Sequence, residues 1–210
     1  MSKSTTSLLI GILQDQGKLS DLVTEHVAEL SQHSVWKHKT IQECLDMRTN
    51  FKFNDNSLEY REATTTTTTT GPQNLKSFLT NFVPDSTFEE KKFEYCSVNT
   101  DCLGWVLERA SGTTLASLFQ NHLWEPLGCE SPALITLDRP KGFGRAAGGI
   151  CATLRDTARI AQMLINDGKN TKGEDVVPPD YIQAILGNGD VETFSRGSWA
   201  QRTDERSTFV

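Results

Sequence analysis

Apolar residues at helical spacing recur along almost the whole chain, whereas runs that alternate as a β-strand does are scarce. The first helical pattern covers 4–16, carries an apolar stripe and ends at Gly17. The same reasoning predicts further helices over 22–30, 41–47, 75–82, 100–110, 115–124, 153–168 and 178–186, and one strand over 134–137. A chain with this pattern has to bury most of its apolar surface between helices.

The helix predicted after Thr153 has its own start signal and a marked apolar side. The segment 153–156 (Thr-Leu-Arg-Asp) is a variant of the capping box, with Asp in the position that Glu usually takes. We expect the apolar side of this helix to be its buried face. It comprises Leu154, Ala158, Ala161, Leu164 and Ile165.

Length and charge restrict the class of protein and the kind of partner. At 210 residues the chain has the size of one domain, with 37% hydrophobic residues to form a core. Its formal net charge of -6 argues against nucleic acid or an anionic membrane surface as a partner, since both need a basic face. The apolar run 8–13 is far shorter than the roughly 20 residues that span a bilayer. We therefore expect no nucleic-acid and no membrane partner, and the sequence leaves the oligomeric state open.

The five cysteines indicate neither a metal site nor a disulfide framework. They stand at 44, 96, 102, 129 and 151, an odd number at irregular spacing without a Cys-x-x-Cys pair. We expect isolated buried thiols, no metal, no cofactor and a reducing compartment such as the cytoplasm. The features of a signal peptide are not visible in the sequence.

Composition changes at two places in the chain. Seven consecutive threonines followed by Gly71-Pro72 disfavour a helix and have nothing to bury, which predicts a loop over 64–72. A strand and an O-glycosylated stalk are the alternatives for this tract. From 197 onwards the chain is polar and carries no strand signal. We expect one domain over 1–196 and a polar tail over 197–210.

Tyr95 precedes the start of a predicted helix and is followed two positions later by Ser97. A tyrosine held near a lysine side chain is favoured in its ionised form, because the positive charge stabilises the phenolate. Such a group can take a proton from a serine hydroxyl and later pass it to a leaving group. Taken alone, a tyrosine in this position more often serves packing.

Three blocks in fixed order carry a resemblance to a known family. They are Leu-Asp-Met-Arg-Thr at 45–49, Tyr-x-Ser-x-x-Thr-Asp-x-Leu-Gly-Trp at 95–105 and Ala-Gly-Gly-x-x-Ala-Thr at 147–153. With the opening helix behind Lys3, they resemble the serine β-lactamase and penicillin-binding protein superfamily. The resemblance is closest to its class C-like esterases and 6-aminohexanoate-dimer hydrolases, and it extends from Ser2 to about Phe194.

The resemblance implies an α+β fold of β-lactamase/transpeptidase type, in which a helical region packs against an antiparallel sheet built from both chain ends. Lys3 matches the lysine of the family's Ser-x-x-Lys motif, which assists deprotonation of the serine. Tyr95 matches the catalytic tyrosine that protonates the leaving group. Ser97 matches the third position of the tyrosine motif, where serine favours esterase or amidase activity over penicillin hydrolysis. The implied partner is a small ester or amide that is hydrolysed through an acyl-enzyme.

The sequence departs from the family pattern at both ends. No serine stands three positions before Lys3, and Ser2 and Ser4 lie at the wrong helical angle, since the motif needs both side chains on one face. An intact Ser-x-x-Lys at 34–37 opens no apolar helix, and we interpret it as a chance match. A triad of Ser34 with a neighbouring histidine, at 33 or 38, is not expected either, because neighbours in sequence rarely meet in triad geometry.

The family's third motif, Lys-Thr-Gly or a His-x-Gly variant, does not occur in the later part of the chain. We therefore expect a fragment that consists mostly of the helical region, with the terminal sheet strands largely missing. Helices that otherwise pack against a sheet should then expose apolar faces. Two hypotheses follow. The first is a serine hydrolase domain that is inactive as this truncated chain, and the second is a non-catalytic binding or scaffold protein with the same fold.

Overall fold

The computed structural model describes residues 1–65, 74–187 and 189–200, and helices dominate them. The helices are α1 (Ser2–Asp15), α2 (Val23–His26), α3 (Ile41–Leu45), α4 (Leu58–Thr64), α5 (Leu75–Thr80), α6 (Ser97–Ser111), α7 (Leu115–Phe119), α8 (Leu154–Ile165), α9 (Pro179–Gly187) and α10 (Val191–Ser195). A 3-10 turn at Ala28–Leu30 follows α2, and a π-helical turn at Gln120–Trp124 extends α7. Each predicted helix is thus present near its expected place, α1 and α6 are longer than predicted, and α4 and α10 were not predicted.

The strands are short and pair in two antiparallel ladders. β1 (Phe51–Lys52) pairs with β2 (Ser86–Thr87), and β3 (Leu134–Ile135) pairs with β4 (Ile150–Cys151). The strand candidate over 134–137 therefore begins at the predicted residue. The second ladder fixes the position of the Ala-Gly-Gly block, because β4 lies within the segment 147–153.

The centre of the molecule is the packing of α1 against α6. Leu8 to Leu13 are all buried in α1, and α6 is buried from Ser97 to Leu107. A glycine ends each helix: Gly17 follows α1 with φ +66°, as predicted, and Gly112 caps α6 with φ +70°. These positive φ values suit glycine and terminate the helices.

An aromatic cluster supports the loop between β1 and α4. Phe53 lies 5.1 Å from Phe82 and 5.8 Å from Tyr60 between ring centroids, and Phe51 lies 5.0 Å from Phe82. Trp36 and Phe78 complete the cluster. The cluster anchors both ends of the loop 53–57.

The prediction of the buried face of α8 was wrong, because a different side of the helix faces the core. Its buried residues are Asp156, Ile160 and Met163, whereas Leu154 and Ile165 are 87% and 76% exposed. Ala158 and Ala161 are also exposed, and Leu164 is half-buried. The helix is rotated because the Asp156 carboxylate points inward and accepts the backbone N–H groups of Glu130 and Ser131 at 2.9 and 3.1 Å.

The start of α8 is capped as predicted on one side only. The Thr153 hydroxyl accepts the Asp156 N–H at 3.1 Å, as in a capping box. The Asp156 carboxylate, however, accepts from the Thr153 hydroxyl and from residues 130–131 instead of reaching back to the Thr153 backbone. Asp156 therefore belongs to the cap of α8 and also attaches the segment 130–131 to the start of that helix.

The cysteines are free thiols in the structure. Cys44, Cys96 and Cys102 are buried as expected, Cys129 is half-buried, and Cys151 is exposed, which differs from the expectation. Burial raises the pKa of the Cys96 thiol to about 12 and that of the Cys129 thiol to about 11. These two thiols are therefore poor nucleophiles at neutral pH.

The two segments of unusual composition lie largely outside the described residues. Of the threonine tract, Thr64 ends α4 and Thr65 follows it, while 66–73 lie outside. Of the tail, 197–200 is described, and the Ser198 hydroxyl donates to Glu94 at 2.8 Å. Among the described residues, none of the helices combines the length and apolarity that crossing a membrane requires.

Gly11 tests the close packing of α1. A Cβ at Gly11 would lie 2.3 Å from the Tyr181 ring, and that ring is fixed because its hydroxyl donates to the Ser7 carbonyl at 2.9 Å. We expect Gly11→Ala to lower the free energy of unfolding by about 1–3 kcal/mol despite the better helix propensity of alanine. Urea unfolding followed by circular dichroism measures this. The control Gly187→Ala, where the Cβ meets nothing within 4 Å, should leave stability unchanged or slightly higher, and an equal loss in both variants contradicts the prediction.

Asp156 gives a prediction for pH. Hydrogen bonds from Glu130 N–H, from the Thr153 hydroxyl and from Ser131 N–H hold the pKa of Asp156 well below its usual value. A carboxyl group with a lowered pKa in the folded state stabilises the fold above the unfolded-state pKa of about 3.9, and this contribution is lost as the pH falls further. The free energy of unfolding should therefore fall below about pH 4 in the wild type and less steeply in Asp156→Asn. Parallel curves from urea titrations between pH 7 and pH 2.5 would argue against this account.

Candidate active site

The three residues singled out in the sequence lie together in the structure. Lys3, on the first turn of α1, donates from Nζ to Ser97 Oγ at 3.0 Å. The same Nζ donates to the Ala147 carbonyl at 2.8 Å and lies 4.9 Å from the centroid of the Tyr95 ring. The group thus joins α1, the start of α6 and the Ala-Gly-Gly block, which are 94 and 144 residues away from Lys3.

Tyr95 is the exposed member of the group. Its side chain is 42% exposed, and its ring packs against Trp199 at 5.3 Å between centroids. It stands directly before Cys96, the N-cap residue of α6. The tyrosine is thus open to an approaching small molecule on one side and faces the Lys3 ammonium on the other.

Ser97 is almost fully buried, with 8% exposure, and its hydroxyl has a partner on each side. It accepts from Lys3 and donates to Asp55 Oδ2 at 2.6 Å. Asp55 also accepts the Ser97 backbone N–H at 3.0 Å, so its carboxylate lies at the N-terminus of α6, where a negative charge is favourable. The result is a continuous hydrogen-bond chain from Lys3 through Ser97 to Asp55.

Asp55 is a site residue that the sequence reasoning missed. It lies in the loop 53–57, 42 residues before Ser97, and no motif or periodicity marks it. The aromatic cluster brings this loop against the start of α6, and only the folded chain shows that contact.

The segment 146–150 holds the start of α1 in place. The Thr6 hydroxyl donates to the Ala146 carbonyl at 3.1 Å, and the Ile150 N–H donates to Ser2 Oγ at 3.1 Å. Gly149 has φ +92°, and a Cβ there would lie 1.8 Å from Thr136 Oγ1. The glycine therefore permits close contact with Thr136, the residue that follows β3.

The other serines near a lysine do not form an alternative site. The Ser2 hydroxyl is turned to Ile150, and Ser4 is exposed. Ser34 is exposed on a turn, where the Nδ1 of His33 accepts the backbone N–H of Val35. In the part of the chain that the structure describes, no group of three His, Cys, Asp or Glu residues is placed to hold a metal.

The family assignment follows from comparison with known proteins. The family model described as Beta-lactamase matches residues 1–200. The chain belongs to the beta-lactamase family. The 6-aminohexanoate-dimer hydrolase of Paenarthrobacter ureafaciens is 33% identical over 206 residues, which cover 93% of this chain and 51% of that protein. The resemblance inferred from the three blocks is thereby confirmed.

Solved structures agree on the fold. A Bacillus anthracis protein assigned as a 6-aminohexanoate-dimer hydrolase superposes with a TM-score of 0.76 at 21% identity, over 89% of this chain and 51% of that one. A family VIII carboxylesterase gives a TM-score of 0.68 at 15% identity, over 89% and 59% of the two chains. The β-lactamase/transpeptidase-like fold is confirmed, with much helix and few strands. The chain spans about half the length of the relatives it matches.

Asp55 can be tested through stability. Asp55→Ala removes the acceptor of both the N–H and the O–H of Ser97, and we expect it to lower the free energy of unfolding by about 1–2 kcal/mol, as loss of a helix cap does. Asp55→Asn keeps one acceptor oxygen, and its free energy of unfolding should fall by less. Asp85→Ala, which removes an exposed carboxylate, serves as the control and should change stability by less than about 0.5 kcal/mol. Equal stability of Asp55→Ala and the wild type in urea unfolding would contradict the assigned contact.

Proposed function

We propose that this chain carries the proton-transfer residues of a serine hydrolase that cleaves small esters or amides through an acyl-enzyme. The observation that supports it is the position of Lys3 Nζ, 3.0 Å from Ser97 Oγ and 4.9 Å from the Tyr95 ring. The three side chains form one polar group at the start of the central helix pair. The beta-lactamase family, to which the chain belongs, is of the serine hydrolase type.

The proposed chemistry assigns a role to each side chain. A serine one helical turn before Lys3 would lie on the same face of α1, so Tyr95, assisted by the charge of the Lys3 ammonium, would take its proton as its oxygen attacks the acyl carbon. Tyr95 then passes that proton to the leaving alcohol or amine, and water completes the cycle by hydrolysing the acyl-enzyme. Ser97 and Asp55 orient Lys3 from the other side through the chain of hydrogen bonds.

The substrate class is inferred from the site and from the relatives. Serine at position 97 favours ester or amide cleavage over penicillin hydrolysis. The names of the relatives, a 6-aminohexanoate-dimer hydrolase and a carboxylesterase, point to amides and esters in the same fold. Both agree with a small ester or amide as the substrate.

We propose further that the 210-residue chain does not turn over by itself. It contains no serine three positions before Lys3 and no Lys-Thr-Gly or His-x-Gly motif. Loss of an oxyanion-hole donor costs about 3–4 kcal/mol of transition-state stabilisation in serine hydrolases, and without the nucleophile no acyl-enzyme forms. The second hypothesis, a non-catalytic scaffold, predicts the same inactivity, so a separate test is needed to distinguish the two.

A fluorophosphonate probe distinguishes the two hypotheses. We expect no labelling of the 210-residue chain, and labelling of a variant in which a serine, preceded by an N-terminal extension, is placed directly before Met1. Lys3→Ala in that variant should reduce the labelling rate at least about 100-fold, the usual contribution of a general acid–base group, while the exposed Lys18→Ala should not change it.

Mass spectrometry of the labelled peptide identifies the modified serine. A folded extended chain that stays unlabelled supports the scaffold and argues against the hydrolase. Hydrolysis of p-nitrophenyl acetate by the unextended chain, abolished in Tyr95→Phe, would show that the chain turns over without a serine before Lys3.

A further inference from the structure

One face of α6 is built around the segment that holds Lys3. Ser97, Asp101 and Gly104 stand at positions i, i+4 and i+7 and therefore lie on the same side of the helix. Ser97 contacts Lys3 directly. A Cβ at Gly104 would lie 2.6 Å from the Ala146 Cβ, so the glycine lets the Ala-Gly-Gly block approach the helix closely. Asp101 lies between these two contacts.

Asp101 is a carboxylate with no exposure to solvent, and both of its oxygens have partners. Oδ2 accepts the Tyr60 hydroxyl at 2.5 Å, and Oδ1 accepts the Ala147 N–H at 2.8 Å. Arg145 lies next to the Tyr60 hydroxyl at 3.4 Å. Burial raises the pKa of Asp101, whereas the two hydrogen bonds and the charges of Arg145 and Lys3 act in the opposite direction. A buried carboxylate of this kind is costly unless its partners are fixed in place.

Ala147 connects Asp101 with Lys3. Its N–H donates to Asp101 and its carbonyl accepts Lys3 Nζ at 2.8 Å, so a single residue is held at both ends. The residue is 7% exposed, and the neighbouring Ala146 carbonyl is held by Thr6 of α1. The direction in which the Ala147 carbonyl points therefore depends on the contact with Asp101.

We propose that Asp101 is a positioning residue for Lys3: it fixes Ala147, whose carbonyl holds the Lys3 ammonium against Ser97. Tyr60 supports Asp101 from the opposite side. The inference rests on the proposed function for the catalytic role of Lys3. The contact through which Asp101 positions Lys3 is a property of the folded chain and can be measured without any activity. The inference assigns a purpose to the Asp of the Thr-Asp-x-Leu-Gly-Trp block, which is fully buried in α6.

The test measures the freedom of the Lys3 amine without any turnover. Folded protein is acetylated briefly with an N-hydroxysuccinimide ester, and the modification of Lys3 relative to the exposed Lys18 is read by peptide mass spectrometry. In Asp101→Ala we expect this ratio to rise about fivefold, the factor that one hydrogen bond of ordinary net strength provides. Asp101→Asn should return the ratio towards the wild-type value, because the amide oxygen can accept the Ala147 N–H.

Asp156→Ala is the matched control, since it also removes a buried carboxylate. Asp156 accepts the backbone N–H groups of residues 130 and 131 and has no contact with Ala147 among its hydrogen bonds. It should destabilise the fold without changing the Lys3 ratio. An unchanged ratio in Asp101→Ala, or an equal rise in Asp156→Ala, overturns the proposal.

The proposal can be tested even if Asp101→Ala does not fold. If Asp101→Ala is unfolded by circular dichroism, Tyr60→Phe decides, because it takes one partner from Asp101 and removes no bulk. A raised Lys3 ratio in Tyr60→Phe supports the proposal, and an unchanged ratio overturns it. The Lys3 acetylation ratio does not depend on whether a serine in the extended chain is labelled. The positioning role of Asp101 and the proposed hydrolase function can therefore be refuted independently of each other.

Discussion

The position of the Lys3 ammonium is the constraint on which the rest of the site depends. A half-buried charge has to be hydrogen-bonded, and its two acceptors come from parts of the chain that are far apart in sequence. The start of α1 must therefore lie at the junction of α6 and the Ala-Gly-Gly block. Close packing maintains that junction, with the fixed ring of Tyr181 against Gly11 and the Thr6 hydroxyl on the Ala146 carbonyl.

Buried carboxylates accept backbone N–H groups of several loops, as the strands of a sheet do in other proteins. Asp101 accepts the N–H of Ala147, Asp138 accepts those of Leu75 and Phe143, and Asp156 accepts those of residues 130 and 131. Each attaches a segment that has few strand partners of its own, and backbone N–H groups in a protein interior need such acceptors. The described strands are only two residues long, which explains why the positions of the loops depend on side chains.

The same contacts explain why α8 presents an apolar stripe to solvent. The inward-facing Asp156 carboxylate accepts the backbone N–H groups of residues 130 and 131, and this orientation leaves Leu154 and Ile165 exposed. The helix is thus oriented so that the Asp156 carboxylate keeps these two hydrogen bonds, while two large apolar side chains stay exposed.

Local signals in the sequence were sufficient for most of the helices, for the end of α1 at Gly17 and for the family blocks, because these depend on neighbours within one or two turns, whereas α4 and α10 were missed. The family blocks also identified Lys3, Tyr95 and Ser97 as residues to examine. The sequence by itself could not show that Asp55 lies on Ser97, that Asp101 reaches Lys3 through Ala147, or which face of α8 is buried. These depend on contacts across 40 or more residues, or on the balance between a buried hydrogen bond and an exposed apolar stripe, and only the tertiary structure decides them.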